Sequence, residues 1–321
     1  MNEKRLSAAA GLRAALAVML TVAACASDGR SSSEEMVGIG SHRLEMRSEG
    51  KGSPVVVIDA GLADPADNLR PLQERLAKAT RVITYNRAGY GRSEPGPLPR
   101  TAVREAEELK ALLDKASVPG PYVLVGHSLG ALNMQVFASK YPEDVAGLVL
   151  LDPPPLSFLL GQAYQDLKPM AERMTAEWQS VADSAANSPD AREQAKSAFF
   201  NMIASEHREM FGESARMAEA ITTFGGAPLV VMAAGKANPA FGEGAEAYQK
   251  YWVEQSRALV KKAADGKFVL AEGASHYLYL DVPELVAQQI LSVVDEARTT
   301  AVGRSAEGTE AESVIKAARN W

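Results

Sequence analysis

The sequence predicts a doubly wound, mostly parallel α/β sheet with an inserted helical lid. Three observations lead there. Short unbroken apolar runs recur along the chain, and segments of helical spacing alternate with them. The alternation is broken once, over about 153–226, by polar helical sequence without any strand run. Apolar runs this short suit strands buried on both faces of a parallel sheet, and strand-then-helix repetition is how such a sheet is wound.

From the N-terminus, residues 1–24 read as a signal peptide. Lys4, Arg5 and Arg13 give a positive start, and the apolar run 14–24 is too short to span a bilayer. Val22-Ala23-Ala24-Cys25 follows the pattern of a branched residue, two small residues and a cysteine found in the lipobox of bacterial lipoproteins, and Cys25 is the only cysteine of the chain. A lipidated Cys25 with a flexible Ser-rich tether over 25–36 is therefore expected, which would place the protein at the cell envelope as a membrane-anchored lipoprotein. The alternative is ordinary secretion, to the periplasm or beyond, with an incidental cysteine. A lone cysteine allows no internal disulfide, so the domain over 37–298 must rely on its core. With 321 residues, 46% of them hydrophobic, it can build one.

Within that domain, glycines at 38, 40 and 50 mark an edge hairpin over 37–47. Strand runs follow at 55–58, 82–85, 122–125, 148–151, 229–232 and 268–270, and helical spacing at 68–79, 102–116, 129–141, 248–264 and 283–298. The lid's Phe158, Leu159, Met170, Met174, Trp178, Phe199, Phe200 and Met202 are read mainly as its own core, because amphipathic helices must bury an apolar face. Residues 299–321 read as a polar tail or weak terminal helix. The net charge of -6 falls to about -8 once the signal is removed, with no clustered basic face to displace the counterions of a nucleic acid. No nucleic-acid partner is expected. No His, Asp or Glu cluster has metal-ligand spacing, so neither metal nor cofactor is implied.

The chemistry centres on Gly126-His127-Ser128-Leu129-Gly130, between a predicted strand and a predicted helix. A serine forced into so tight a turn needs glycine two residues before and two after for the backbone to close, and it then faces the N-terminus of the helix. Its hydroxyl needs a base, and four histidines are available. His42 lies in the edge hairpin, His127 is badly placed beside Ser128, and His207 reads as a solvated helix residue within the lid. His276, on the loop after the last strand, is the candidate base.

Residues 55–296, about three-quarters of the chain, resemble the α/β-hydrolase superfamily. Besides the GHSLG turn and the histidine loop, Asn86-Arg87-Ala88-Gly89-Tyr90-Gly91-Arg92-Ser93 is similar to the family's Asp-Arg-x-Gly-x-Gly-x-Ser loop, with Asn86 in place of the usual Asp. The resemblance implies an oxyanion hole from the backbone N–H groups of Leu129 and Leu62, the latter in Asp59-Ala60-Gly61-Leu62, where the family usually has His-Gly-x. In most relatives the triad acid follows the seventh strand, but here 233–238 hold no carboxylate. Asp152, after the sixth strand, is the candidate, as in some branches of the superfamily; Glu243 and Glu246 are the alternatives. A serine rather than a carboxylate in the turn argues against dehalogenase and epoxide hydrolase chemistry. The function expected is hydrolysis of a small-molecule ester, with amides and lactones possible, through an acyl-enzyme. The competing reading is a non-catalytic envelope lipoprotein using the fold as a binding module.

Overall fold

The structure is a computed structural model and describes residues 32–318. The signal segment 1–24 and Cys25 lie outside the described residues. Eight strands form one sheet in the order β1-β2-β4-β3-β5-β6-β7-β8. They are β1 (Ser32–Gly38), β2 (Arg43–Glu49), β3 (Val55–Asp59), β4 (Val82–Tyr85), β5 (Tyr122–His127), β6 (Val145–Leu151), β7 (Leu229–Ala234) and β8 (Lys267–Ala271). β1 and β2 form the antiparallel hairpin, and from β4 onward the pairing is parallel. Ser32 to Met36, assigned by sequence to the tether, instead pair with β2 from Ser32 opposite Glu49 to Met36 opposite Glu45. This edge strand is held by backbone hydrogen bonds while its first four residues stay exposed, so it has no apolar signature.

The helices are α1 (Arg70–Leu76), α2 (Ala102–Lys115), α3 (Leu129–Lys140), α4 (Leu156–Leu159), α5 (Lys168–Ala186), α6 (Ala191–Met210), α7 (Glu213–Ala220), α8 (Ala245–Leu259), α9 (Leu278–Asp281) and α10 (Pro283–Ala318). The last of them continues through most of the segment read as a tail. Successive strand side chains point to opposite faces, so each apolar run feeds two cores. Val55, Val57, Leu124 and Leu150 pack with Leu112 of α2 and Phe137 of α3. Val56, Ile58, Val125 and Leu151 pack with Leu72 of α1 and with Val286 and Ile290 of α10. The four helices α4 to α7 are inserted between β6 and β7. Because β4 and β5 flank β3 on opposite sides, the strand order reverses at β3, and the crevice at the C-terminal ends of β3 and β5 is where such sheets bind ligands.

Candidate active site

Ser128 sits in that crevice, between the end of β5 and the start of α3, with φ 51° and ψ -115°. A non-glycine residue at positive φ is costly and needs support from its surroundings. The Ser128 N–H donates to Leu151 O at 3.0 Å, tying the turn to the end of β6. A Cβ on Gly126 would collide with the backbone of Gly130, and one on Gly130 with the carbonyl oxygens of Asp59 and Ala60. Gly126 therefore lets α3 turn tightly back on the end of β5, and Gly130 lets it start this close to β3. Leu129 is the first residue of α3, and a first-turn N–H has no acceptor within its own helix.

His276 lies on the loop between β8 and α9. Its Nδ1–H donates to Asp152 Oδ2 at 2.6 Å. Asp152, buried at the end of β6, has φ 46°, and its other oxygen accepts the Ala234 N–H at 2.9 Å. Both carboxylate oxygens are thus engaged, one by β7 and one by the histidine. Glu243 and Glu246 are exposed. The Gly61-Leu62 segment follows β3 and faces the turn, since a Cβ on Gly61 would come within 2.9 Å of His127 Nδ1 and 3.5 Å of Ser128 Cβ.

His127, set aside in the sequence as badly placed, supports the histidine loop. Its Nε2–H donates to the backbone carbonyl of His276 at 2.8 Å, and the two rings lie 4.7 Å apart. Burial, with His276 nearby, holds the His127 pKa well below the ordinary value, so the ring is neutral. Asp59, buried below the turn, accepts from Asn133 Nδ2 of α3 at 3.0 Å. Tyr279 OH donates to Asp64 Oδ2 at 2.5 Å, joining α9 to the loop after β3. Nothing local in the sequence marks these pairs, because their members are far apart in the chain.

Asn86 is explained by its partners. Its Oδ1 accepts the Ala66 N–H and its Nδ2 donates to Glu45 Oε2, both at 2.8 Å. An aspartate there would set two carboxylates against each other; the amide serves because the partner is Glu45. His207 corrects the sequence reading. It is 4% exposed rather than solvated, lying between α5 and α6 with Nδ1 hydrogen-bonded to Thr175 Oγ1 at 2.6 Å. Burial pushes its pKa down to about 4.

A cavity of about 700 Å³ lies within the inserted helices, lined by aromatic residues such as Phe158, Tyr164 and Phe211 and by charged ones such as Lys168, Glu172 and Arg208. It does not open on Ser128 directly. Aromatic rings connect the two regions: Phe158 contacts Tyr248 at 5.4 Å, Tyr248 contacts Trp252 at 5.7 Å, and Trp252 contacts His276 at 5.8 Å.

Residues 55–289 match the model of the Alpha/beta hydrolase family. The chain belongs to this family. As an α/β-hydrolase it is an enzyme of the hydrolase class. The uncharacterized protein YqjL of Bacillus subtilis is 25% identical over 246 residues, covering 76% of this chain and 85% of YqjL. A 2-(acetamidomethylene)succinate hydrolase of Mesorhizobium japonicum is 32% identical over 116 residues, which are 36% of this chain and 41% of that protein. Among solved structures, a thermophilic esterase from Thermogutta terrifontis superposes with a TM-score of 0.57 at 19% identity, over 84% of this chain and 99% of that one. At that identity the likeness speaks for the fold.

Proposed function

We propose that this α/β-hydrolase is a serine esterase working through an acyl-enzyme, with Ser128 as nucleophile, His276 as base and Asp152 as the acid that orients it. The observation carrying the reading is the 2.6 Å contact between Asp152 Oδ2 and His276 Nδ1, on the loop that His127 holds beside the Ser128 turn. With the proton kept on Nδ1, His276 Nε2 is free to take the Ser128 proton as Oγ attacks the acyl carbonyl. The imidazolium so formed faces the Asp152 carboxylate. It then returns the proton to the departing alkoxide, and water attacks the acyl-enzyme by the same route. The oxyanion formed at each addition is assigned to the N–H groups of Leu129 and Leu62. Ser128 at this turn rather than a carboxylate favours acyl transfer over displacement at an alkyl carbon.

Two further assignments accompany this reading. The inserted helices act as a lid over the crevice; their place between β6 and β7, at the C-terminal edge of the sheet, supports this. The protein is exported and anchored through lipid on Cys25, an assignment that rests on the sequence pattern. A fluorophosphonate probe followed by peptide mapping tests the central proposal. Labelling at Ser128, lost in Ser128→Ala together with hydrolysis of p-nitrophenyl esters, is the expected outcome. A folded protein that is neither labelled nor active would instead support a binding module.

A further inference from the structure

The oxyanion loop is gripped from the inserted helices. Arg87 is fully buried and places all five of its N–H donors. Nη1 donates to Asp59 Oδ1 and Ala60 O, each at 2.7 Å. Nη2 donates to Gly61 O at 2.9 Å. The remaining side of the guanidinium meets Glu206 of α6, with Nε to Oε1 at 2.9 Å and Nη2 to Oε2 at 3.1 Å. Burial alone would weaken the charge on Arg87, but the Glu206 and Asp59 carboxylates outweigh it and hold the guanidinium firmly protonated. Glu206 Oε2 also accepts from Tyr90 OH at 2.5 Å, and Tyr90 OH in turn accepts the Ala63 N–H at 3.0 Å.

These bonds bracket a single peptide unit. Gly61 C=O and Leu62 N–H belong to the same planar trans amide, so the two groups point in opposite directions. Fixing Gly61 O on Arg87 therefore fixes the direction of the Leu62 N–H. The next N–H, that of Ala63, is taken by Tyr90, and Ala63 itself is held at φ 56°. Apolar packing reinforces the grip: Tyr90, Met202 and Ile203 form a small buried cluster against which Leu62, Ala63 and Phe199 pack. Glu206 is the acceptor common to Arg87 and Tyr90, and it is supplied by α6 rather than by the sheet.

We propose that Glu206 is a positioning residue for the oxyanion hole: it orients Arg87 and Tyr90, which between them aim the Leu62 N–H at the developing oxyanion. The inserted helices thereby set catalytic competence as well as covering the site. The inference rests on the serine-esterase reading for the role of Leu62, whereas the clamp itself is testable without it. Misaiming a donor costs less than deleting one, so Glu206→Gln should lower kcat by ~10- to 100-fold while KM changes less than ~3-fold. Binding of a boronic acid, which forms a tetrahedral adduct on the serine, should weaken in step with kcat, while affinity for the carboxylate product should not. Tyr90→Phe, a smaller change, should act in the same direction. Because both act through one clamp, the double variant's loss relative to the parent should be smaller than the product of the two single losses. Hydrogen exchange gives the second readout, with faster exchange over 60–64 in both variants and unchanged exchange in β5 and α3. Folded variants with kcat within twofold of the parent and unchanged exchange over 60–64 would overturn the proposal. If Glu206→Gln does not fold, Tyr90→Phe decides by the same criteria. Failure of the parent protein to react with fluorophosphonate would remove the esterase reading, while exchange over 60–64 still decides whether the clamp exists.

Discussion

Replacing Asp152 by Asn tests the proposed triad most sharply, because both carboxylate oxygens have defined partners. Oδ1 accepts the Ala234 N–H at 2.9 Å and Oδ2 accepts His276 Nδ1–H at 2.6 Å. An asparagine has one acceptor for these two donors. If its oxygen stays with Ala234, its NH₂ faces His276 Nδ1 and forces the ring proton onto Nε2, the atom that must accept the serine proton. If it flips, the tautomer survives, but the amide nitrogen then opposes the Ala234 N–H within a buried strand end, at a cost of about 1–3 kcal/mol. The imidazolium also loses a charged acceptor, worth roughly 2–3 kcal/mol more. Together these raise the barrier by about 3–6 kcal/mol, which is ~10²- to 10⁴-fold in kcat. Initial rates on p-nitrophenyl esters, with circular dichroism to confirm the fold, measure this. Glu243→Gln, at an exposed position, should leave the rate unchanged. An Asp152→Asn enzyme within tenfold of the parent, or a larger loss in Glu243→Gln, would refute the reasoning.

Burial of His207 makes the enzyme acid-sensitive. Its pKa is about 4 in the fold against 6.5 when exposed, so between these values the unfolded chain binds a proton that the native state refuses. Stability should therefore fall as pH drops through this window, by up to about 3 kcal/mol from this residue, with no contribution above pH 6.5. Urea unfolding of the parent and of His207→Asn at pH 7 and pH 4.5 measures it; equal losses in the two proteins would exclude His207 as a cause. At the N-terminus, mass spectrometry of protein from a membrane fraction should find Cys25 as the first residue and acylated, and Cys25→Ser should appear in the soluble fraction. An unmodified mature terminus would dismiss the anchor.

What was legible in the sequence, and what was not, divides along a physical line. β3 to β7 were readable because strands buried on both faces have no polar alternation to blur them. The Ser128 turn was readable because its steric demand is local, with glycines two residues to either side. β1 was not, since its exposed polar residues are held by backbone bonds that any side chain permits. His207 was misread because its burial depends on α5 packing against α6, which helical spacing does not report.

The sequence by itself thus determined the parallel strands, their winding and the helical insertion, and it singled out Ser128 and His276 as candidates. Only the tertiary structure decided which carboxylate meets the histidine, Asp152 at a separation of 124 residues rather than the exposed Glu243 or Glu246. It alone brought Glu206 to Arg87 across 119 residues and His127 to the carbonyl of His276 across 149. Steric and hydrophobic requirements act between neighbours in the chain and leave a pattern there. Hydrogen bonds between distant buried groups leave none, because each partner viewed alone is an ordinary polar residue.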